Sequence, residues 1–311
     1  MSVRLDDYIT SKMINVLNSL NFANRVLETD SPLHVAAHEG DLKTVKRILE
    51  VDRNRENLSQ KNRLGCTPLR LAATAGHAEV VEYLVLQGAD VDIVDIKCQT
   101  SLYMAVKHKH LECIKILLRA GANPNGDLMS LCTPLYIAAM DGYFDGVLAL
   151  IKSGVDLNLS QISIGSFIST PLYITVVYKH YDCFRVLVIA GADPDFNKKT
   201  GAQYKRLPCC QSLYHAVMRY GCDIRYAQLL YECGTDLNSR DDNGRLAHEL
   251  DGSEDVKNYL KEMSEQPRPL MSSCRLFTRK VLNASRTIER NSKIEQLPLP
   301  NKLKNYLNYV F

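Results

Sequence analysis

The feature that most constrains this chain is its self-similarity. Six segments align on one pattern: SPLHVAAHEGDLKTVKRIL from Ser31, TPLRLAATAGHAEVVEYLVLQGADVD from Thr67, TSLYMAVKHKHLECIKILLRAGANPN from Thr100, TPLYIAAMDGYFDGVLALIKSGVDLN from Thr133, TPLYITVVYKHYDCFRVLVIAGADPD from Thr170 and QSLYHAVMRYGCDIRYAQLLYECGTDLN from Gln211. A degenerate seventh copy, NGRLAHELDGSEDVKNYLKEM, follows from Asn243. The pattern has a physical reading. Thr before Pro caps a helix, and Pro suits a first turn whose N–H has no partner in any case. The L-x-x-A-A that follows packs a short helix closely on its neighbours, and Gly76 or Gly142 ends it. A second apolar-periodic helix comes next, as in Val80, Val81, Leu84 and Val85. Gly88, Gly121, Gly154, Gly191 and Gly234 then supply the left-handed residue that stops it.

Each unit is therefore a helix pair followed by a β-turn finger, and the set resembles ankyrin repeats. The implied fold class is all-α: an ankyrin-repeat solenoid followed by a small helical module. The Pro-equivalent positions 32, 68, 101, 134, 171, 212 and 247 are separated by 36, 33, 33, 37, 41 and 35 residues. The longest insertions precede repeats five and six, at Leu157–Ser169 and Phe196–Cys210, and insertions in solenoids fall in loops, often on the binding face. Residues 1–30 carry Leu5, Tyr8, Ile9, Met13, Val16, Leu17 and Leu20 at helical spacing. They read as an N-terminal helical cap, which a solenoid needs to stay soluble. Repeats then occupy residues 31–262, a linker 263–268, and a separate module 269–311.

That last module differs in charge as well as in pattern. Residues 262–311 hold 9 basic and 4 acidic residues, whereas the whole chain carries a formal net charge of only +3. Leu270, Cys274, Phe277, Val281 and Leu282 share one helical face, and Leu303, Tyr306, Leu307 and Val310 form another. Between them, Pro298 and Pro300 hold LPLP extended. A unit of this size cannot bury a large core alone, so it must dock on something. The Leu-x-x-x-Cys stripe together with LPLPxxLxxYL resembles a SOCS box, and the whole chain resembles the ankyrin repeat and SOCS box family.

The resemblance implies a substrate receptor of a cullin-RING ubiquitin ligase. Leu270, Cys274, Phe277 and Thr278 would meet Elongin C, which travels with Elongin B; Thr278 and Ser273 stand where aliphatic residues are usual in the family. Leu297, Pro298, Leu299 and Pro300 would select cullin five, which brings a RING subunit. The client is unknown and would be held by the ankyrin repeats. The alternative is an ankyrin scaffold protein without a ligase role, its C-terminal module merely capping the repeats.

Client contacts are expected at positions that vary between repeats. In this resemblance they are the pair after A-A and the finger residues. Lys107, Met140, Tyr178, Met218 and Arg219 represent the first class, with His108, Asp141 and Val177 beside them. Ile162, Ile164, Phe167 and Ile168 represent the second, because apolar groups on a solvated finger mark a partner site. Tyr103, Tyr136, Tyr173 and Tyr214 recur once per repeat and read as a packed column.

Other classes are set aside on composition and spacing. With 46% apolar and 23% charged residues the chain is a folded protein, and a net +3 does not suggest a nucleic-acid binder. No run approaches the length of a membrane span, and Asp6 and Asp7 interrupt the place of a signal peptide's apolar stretch. Ten scattered cysteines without a CxxC read as reduced thiols of an intracellular protein, cytoplasmic or nuclear. His108-x-His110 lacks further ligands at metal spacing, and Cys209, Cys210, His215, Cys222 and Cys233 read as parts of one repeat rather than a metal site. No cofactor is expected. Without GxSxG, HExxH, P-loop or kinase motifs, the chain reads as a non-catalytic adaptor.

Overall fold

In a computed structural model of the chain, the described residues are 30–52, 57–130, 132–159, 161–163, 167–195, 212–241 and 243–266, with 273, 274, 296 and 304 as isolated positions. The N-terminal cap expected over residues 1–30 and the insertion 196–210 lie outside them, apart from Asp30. The chain divides into two compact units, Met1–Asn123 and Pro124–Phe311.

Among its described residues the first unit holds three helix pairs: Pro32–Glu39 with Leu42–Val51, Pro68–Ala75 with Ala78–Leu86, and Ser101–Lys107 with Leu111–Arg119. The second holds Pro134–Met140 with Phe144–Lys152, Pro171–Val177 with Tyr181–Ala190, and Leu213–Arg219 with Ile224–Glu232. A short 3-10 turn, Ala247–Glu249, and the helix Glu254–Glu265 form the degenerate seventh copy.

The caps show why these short segments are helical. Oγ1 of Thr67, Thr100, Thr133 and Thr170 accepts the backbone N–H three residues on, at 3.1–3.2 Å. Ser31 and Ser212 take the same position but turn their hydroxyls to His34 and His215, each at 2.7 Å from Nδ1. Two residues after each cap comes a core side chain: Leu33, Leu69, Leu102, Leu135 and Leu172 are all at most 1% exposed. Burial of each contributes roughly 1.5–3 kcal/mol. The first helices all end nine residues after the cap in the left-handed region, at Gly40, Gly76, Lys109, Gly142, Lys179 and Gly221.

Neighbouring repeats are also stitched by polar groups. His77 and His110 donate from Nε2 to the carbonyls of His38 and Thr74 in the preceding repeat, at 2.9 and 3.1 Å. In the second unit His180 donates to Met140 at 3.1 Å. Along the fingers, the backbone N–H of Asn123, Asp156 and Asp193 donates to the side chains of Asp92, Asn125 and Asn158, at 2.8–3.0 Å.

One finger departs from a simple turn. Gln161–Ser163 pairs antiparallel with Phe167–Ser169, setting Ile162 opposite Ile168 and Ser163 opposite Phe167. The long insertion before repeat five thus carries a short antiparallel strand pair, which among the described residues is the only sheet.

Candidate functional site

The column three residues after each cap separates this chain's repeats from one another. It holds His34, Arg70, Tyr103, Tyr136, Tyr173 and, in repeat six, His215. Tyr103, Tyr136 and Tyr173 are buried as expected, at 6%, 2% and 5% exposure. Tyr214 is buried too, but not in this column. The cap of repeat six is Ser212, so Tyr214 fills the place of Leu172 and His215 that of Tyr173. The QSLYHAV segment aligns one residue away from the register that its tyrosine suggests.

That slip corrects one client-contact residue. Met218 occupies the position of Val176 and is 1% exposed, packed against the backbone of Gly252. Its side chain is core. The residues of repeat six that match Val177 and Tyr178 are Arg219, which is exposed, and Tyr220, which is half-buried. Lys107 and His108 are exposed, and Met140, Asp141, Val177 and Tyr178 are half-buried. His108 stacks on His110 with ring centroids 6.1 Å apart, and Tyr178 stacks on His180 in the same way at 6.3 Å. Two candidate contact residues are therefore braced against the histidines that stitch repeats together. The side chains of Ile162, Phe167 and Ile168, and all of Ile164, lie outside the described residues.

The structure adds fingertip residues that the sequence reading passed over. Ile96 is 64% exposed, and Leu128 and Met129 are 82% and 78% exposed. The overlooked signal was an isoleucine, leucine or methionine inside an otherwise polar turn.

The groups that could suggest metal or thiol chemistry are committed elsewhere. His110 donates to the Thr74 carbonyl, and Cys222 donates to the Val176 carbonyl at 3.4 Å. Burial pushes the Cys113, Cys183 and Cys222 thiols up to about 11, so none is a thiolate at neutral pH. Among the described residues, no group of three His, Cys, Asp or Glu is placed to hold a metal ion. Cys209 and Cys210 lie outside them. No helix among the described residues is long and apolar enough to cross a membrane.

His215 uses both ring nitrogens. Nδ1 meets the Ser212 hydroxyl at 2.7 Å, and Nε2–H donates to the Arg245 carbonyl at 3.1 Å. Burial is the main cause that holds its pKa below the ordinary 6.5, with Arg219 and Arg245 adding to it. The Arg245 carbonyl and Asp241 pull the other way. The unfolded chain therefore takes up this proton more readily than the folded one, and acid favours unfolding. The contribution is complete above 6.5 and is lost as pH falls below it. Urea midpoints measured about one pH unit either side of that value are expected to drop on the acid side. His215→Tyr, the residue of repeats three to five, should flatten the drop; an unchanged slope would assign it to other groups.

In the C-terminal module, Ser273 and Cys274 have helical backbone, and Cys274 is exposed rather than packed into the chain's own core. Leu270, Phe277, Thr278, Leu297, Pro298, Leu299 and Pro300 lie outside the described residues. Comparison with known proteins bears on this segment directly. A family model described as ankyrin repeats matches residues 8–95 and 87–161, and one described as SOCS box matches residues 266–308. Ankyrin repeat and SOCS box protein 1 of Mus musculus is 43% identical over 305 residues, spanning 90% of this chain and 88% of that protein. The chain belongs to the ankyrin repeat and SOCS box family. Ankyrin repeat and SOCS box protein 12 of Homo sapiens is 39% identical over 298 residues, spanning 91% and 92% of the two chains. The solved ankyrin repeat domain of human ASB11 superposes with a TM-score of 0.59 at 24% identity, over 77% of this chain and all of that one, which shows the fold. Members of the family are in general non-catalytic adaptors, and a SOCS box is the module that links such adaptors to Elongin and cullin ligases.

Proposed function

We propose that this chain is the client-receiving subunit of a cullin-RING ubiquitin ligase, acting inside the cell. The observation that carries the reading is the SOCS-box match over residues 266–308. That span contains both the Leu270/Cys274 pair and the complete LPLPxxLxxYL run. The ankyrin repeats hold the client. Leu270, Cys274, Phe277 and Thr278 dock Elongin C with Elongin B, and Leu297, Pro298, Leu299 and Pro300 choose cullin five with its RING subunit. Chemistry at the client lysine then follows from proximity to a ubiquitin thioester carried by another subunit. Cys113, Cys183 and Cys222, buried and protonated, have no part in that chemistry.

The exposure of Cys274 fits this role, since a partner rather than the chain's own core would cover it. Leu270→Ala with Cys274→Phe is expected to abolish recovery of Elongin B/C. Burying a Leu contributes roughly 1.5–3 kcal/mol, and an aromatic ring overfills a cysteine-sized site at a cost of about 1–3 kcal/mol. Deleting residues 267–311 should do the same. Retained recovery in either case would leave a plain ankyrin scaffold as the better reading. Replacing Leu297, Pro298, Leu299 and Pro300 by Ala should keep Elongin B/C and lose cullin five; losing both would make that segment part of the module's own fold.

A further inference from the structure

The fingers of repeats one and two are built as a single rigid element. The backbone N–H of Ile96 donates to the Leu64 carbonyl at 3.2 Å, joining the two tips. The backbones approach so closely at Gly65 that an added Cβ would stand 3.0 Å from the Ile96 nitrogen.

Each tip is wired internally by one carboxylate or amide. Asn62 Oδ1 accepts the N–H of Leu64 and Cys66 at 3.0 and 2.9 Å. Asp95 Oδ1 accepts those of Lys97 and Gln99 at 2.8 and 2.9 Å. Asp95 Oδ2 is held from beneath by Arg70 at 2.6 Å, with both side chains at most 2% exposed. Two features of this element cost folding free energy: the buried ion pair and Cys98, a non-glycine residue at φ +57. A fold that accepts such costs gains a preformed surface, and preorganisation lowers the entropy lost on binding.

What this surface presents is specific. Ile96 stands 64% exposed at its tip, and Lys61 and Arg63 on the partner finger are exposed beside it. Among the described residues, the acids of the two tips are turned inward or hydrogen-bonded. Asp95 is buried and neutralised by Arg70. Asp30 accepts the Asn62 amide at 2.6 Å through one oxygen and buries the other. Farther back, Asp90 and Asp92 accept the N–H of Asp92 and Asn123. The tip is therefore an exposed isoleucine with two exposed basic residues on the finger joined to it.

We propose that the joined fingers of repeats one and two dock an acidic peptide segment of the client, one apolar side chain of it lying on Ile96 and its carboxylates on Lys61 and Arg63. This deepens the client-receiving role and rests on it. The basic pair steers and selects, and the apolar contact holds. The opposite arrangement, a basic client segment, would set like charges against Lys61 and Arg63.

The test is fluorescence anisotropy on the full chain purified with Elongin B/C. The probe is a labelled peptide of Glu residues around a single Leu, run beside versions with Lys for Glu and with Ser for Leu. The Glu–Leu peptide is expected to bind saturably, more weakly at high salt, and at least about tenfold tighter than either control, a difference of about 1.4 kcal/mol. Ile96→Asp and the pair Lys61→Glu with Arg63→Glu, all at exposed positions, should each weaken it by a similar factor. The paired reversal should also raise affinity for the Lys peptide, which a misfolded protein would not do. Equal binding of the three peptides, no binding of the Glu–Leu peptide, or variants indistinguishable from the natural chain would overturn the proposal. Elongin B/C copurifying in those same samples would leave the ligase reading standing, so the two fail separately.

Discussion

Arg70→Ala is expected to destabilise the first unit by about 3–5 kcal/mol, the typical cost of removing one partner from a buried ion pair. The loss is large against a total of about 5–15 kcal/mol for an ordinary domain. Arg70 and Asp95 are 2.6 Å apart with side chains 2% and 0% exposed, so water cannot replace the guanidinium. Arg70 also donates from its other terminal nitrogen to the Cys66 sulfur at 3.0 Å. The origin of the cost can be isolated. Asp95→Asn removes the charge but keeps an oxygen for the N–H groups of Lys97 and Gln99. Arg70→Tyr with Asp95→Asn, which places the tyrosine of repeats three to five in repeat two, should recover most of the stability. Urea unfolding of the three proteins decides it. A double variant as unstable as Arg70→Ala would mean that the cost comes from lost packing of the arginine stem rather than from an abandoned carboxylate.

This pair also shows where sequence reasoning stopped. The repeats, their threonine caps and their glycine stops were legible because each rests on local backbone chemistry. An Oγ1 three residues before an N–H, or a glycine at positive φ, declares itself within a few residues. Arg70 and Asp95 are 25 residues apart, and nothing local distinguishes that arginine from a solvated one. Repeat six failed for the opposite reason. Its strongest local signal, the LY dipeptide, lies one residue away from the position set by Ser212, and the cap decides the register because its hydroxyl must reach His215. The register of that dipeptide places Met218 on the surface, whereas the cap puts it in the core. The fingertips were half-legible. The structure finds apolar turn residues exposed at Ile96, Leu128 and Met129, whereas the side chains of Ile162, Phe167 and Ile168, and all of Ile164, lie outside the described residues. The family motif of the C-terminal module needed no geometry at all, because LPLPxxLxxYL is contiguous in the chain.

Gly142→Ala is expected to cost about 2–5 kcal/mol, far more than an alanine substitution in an exposed turn. Two effects add. Gly142 sits at φ +61, a region that costs an L-residue about 1–2 kcal/mol. Its Cβ would also stand 2.6–2.9 Å from three ring atoms of His180, an overpacking worth about 1–3 kcal/mol. The ring cannot swing away without giving up its hydrogen bond to the Met140 carbonyl, the stitch between repeats four and five. Repeat six supplies the control. Gly221 has nearly the same angle, φ +58, but nothing lies within 4 Å of its missing Cβ, so Gly221→Ala should cost only the backbone share, about 1–2 kcal/mol. Lys179 shows that the conformation alone is tolerable: it holds φ +59 in repeat five. There the next repeat offers Cys222 in the place that His180 occupies one repeat earlier. A glycine is thus demanded by the imidazole that follows it, not by the turn. The prediction is a coupling: on a His180→Ala background the cost of Gly142→Ala should shrink to that of Gly221→Ala, as a double-mutant cycle of unfolding free energies would measure. Full additivity of the two substitutions would show that the ring is free to move and that the stitch does not constrain it.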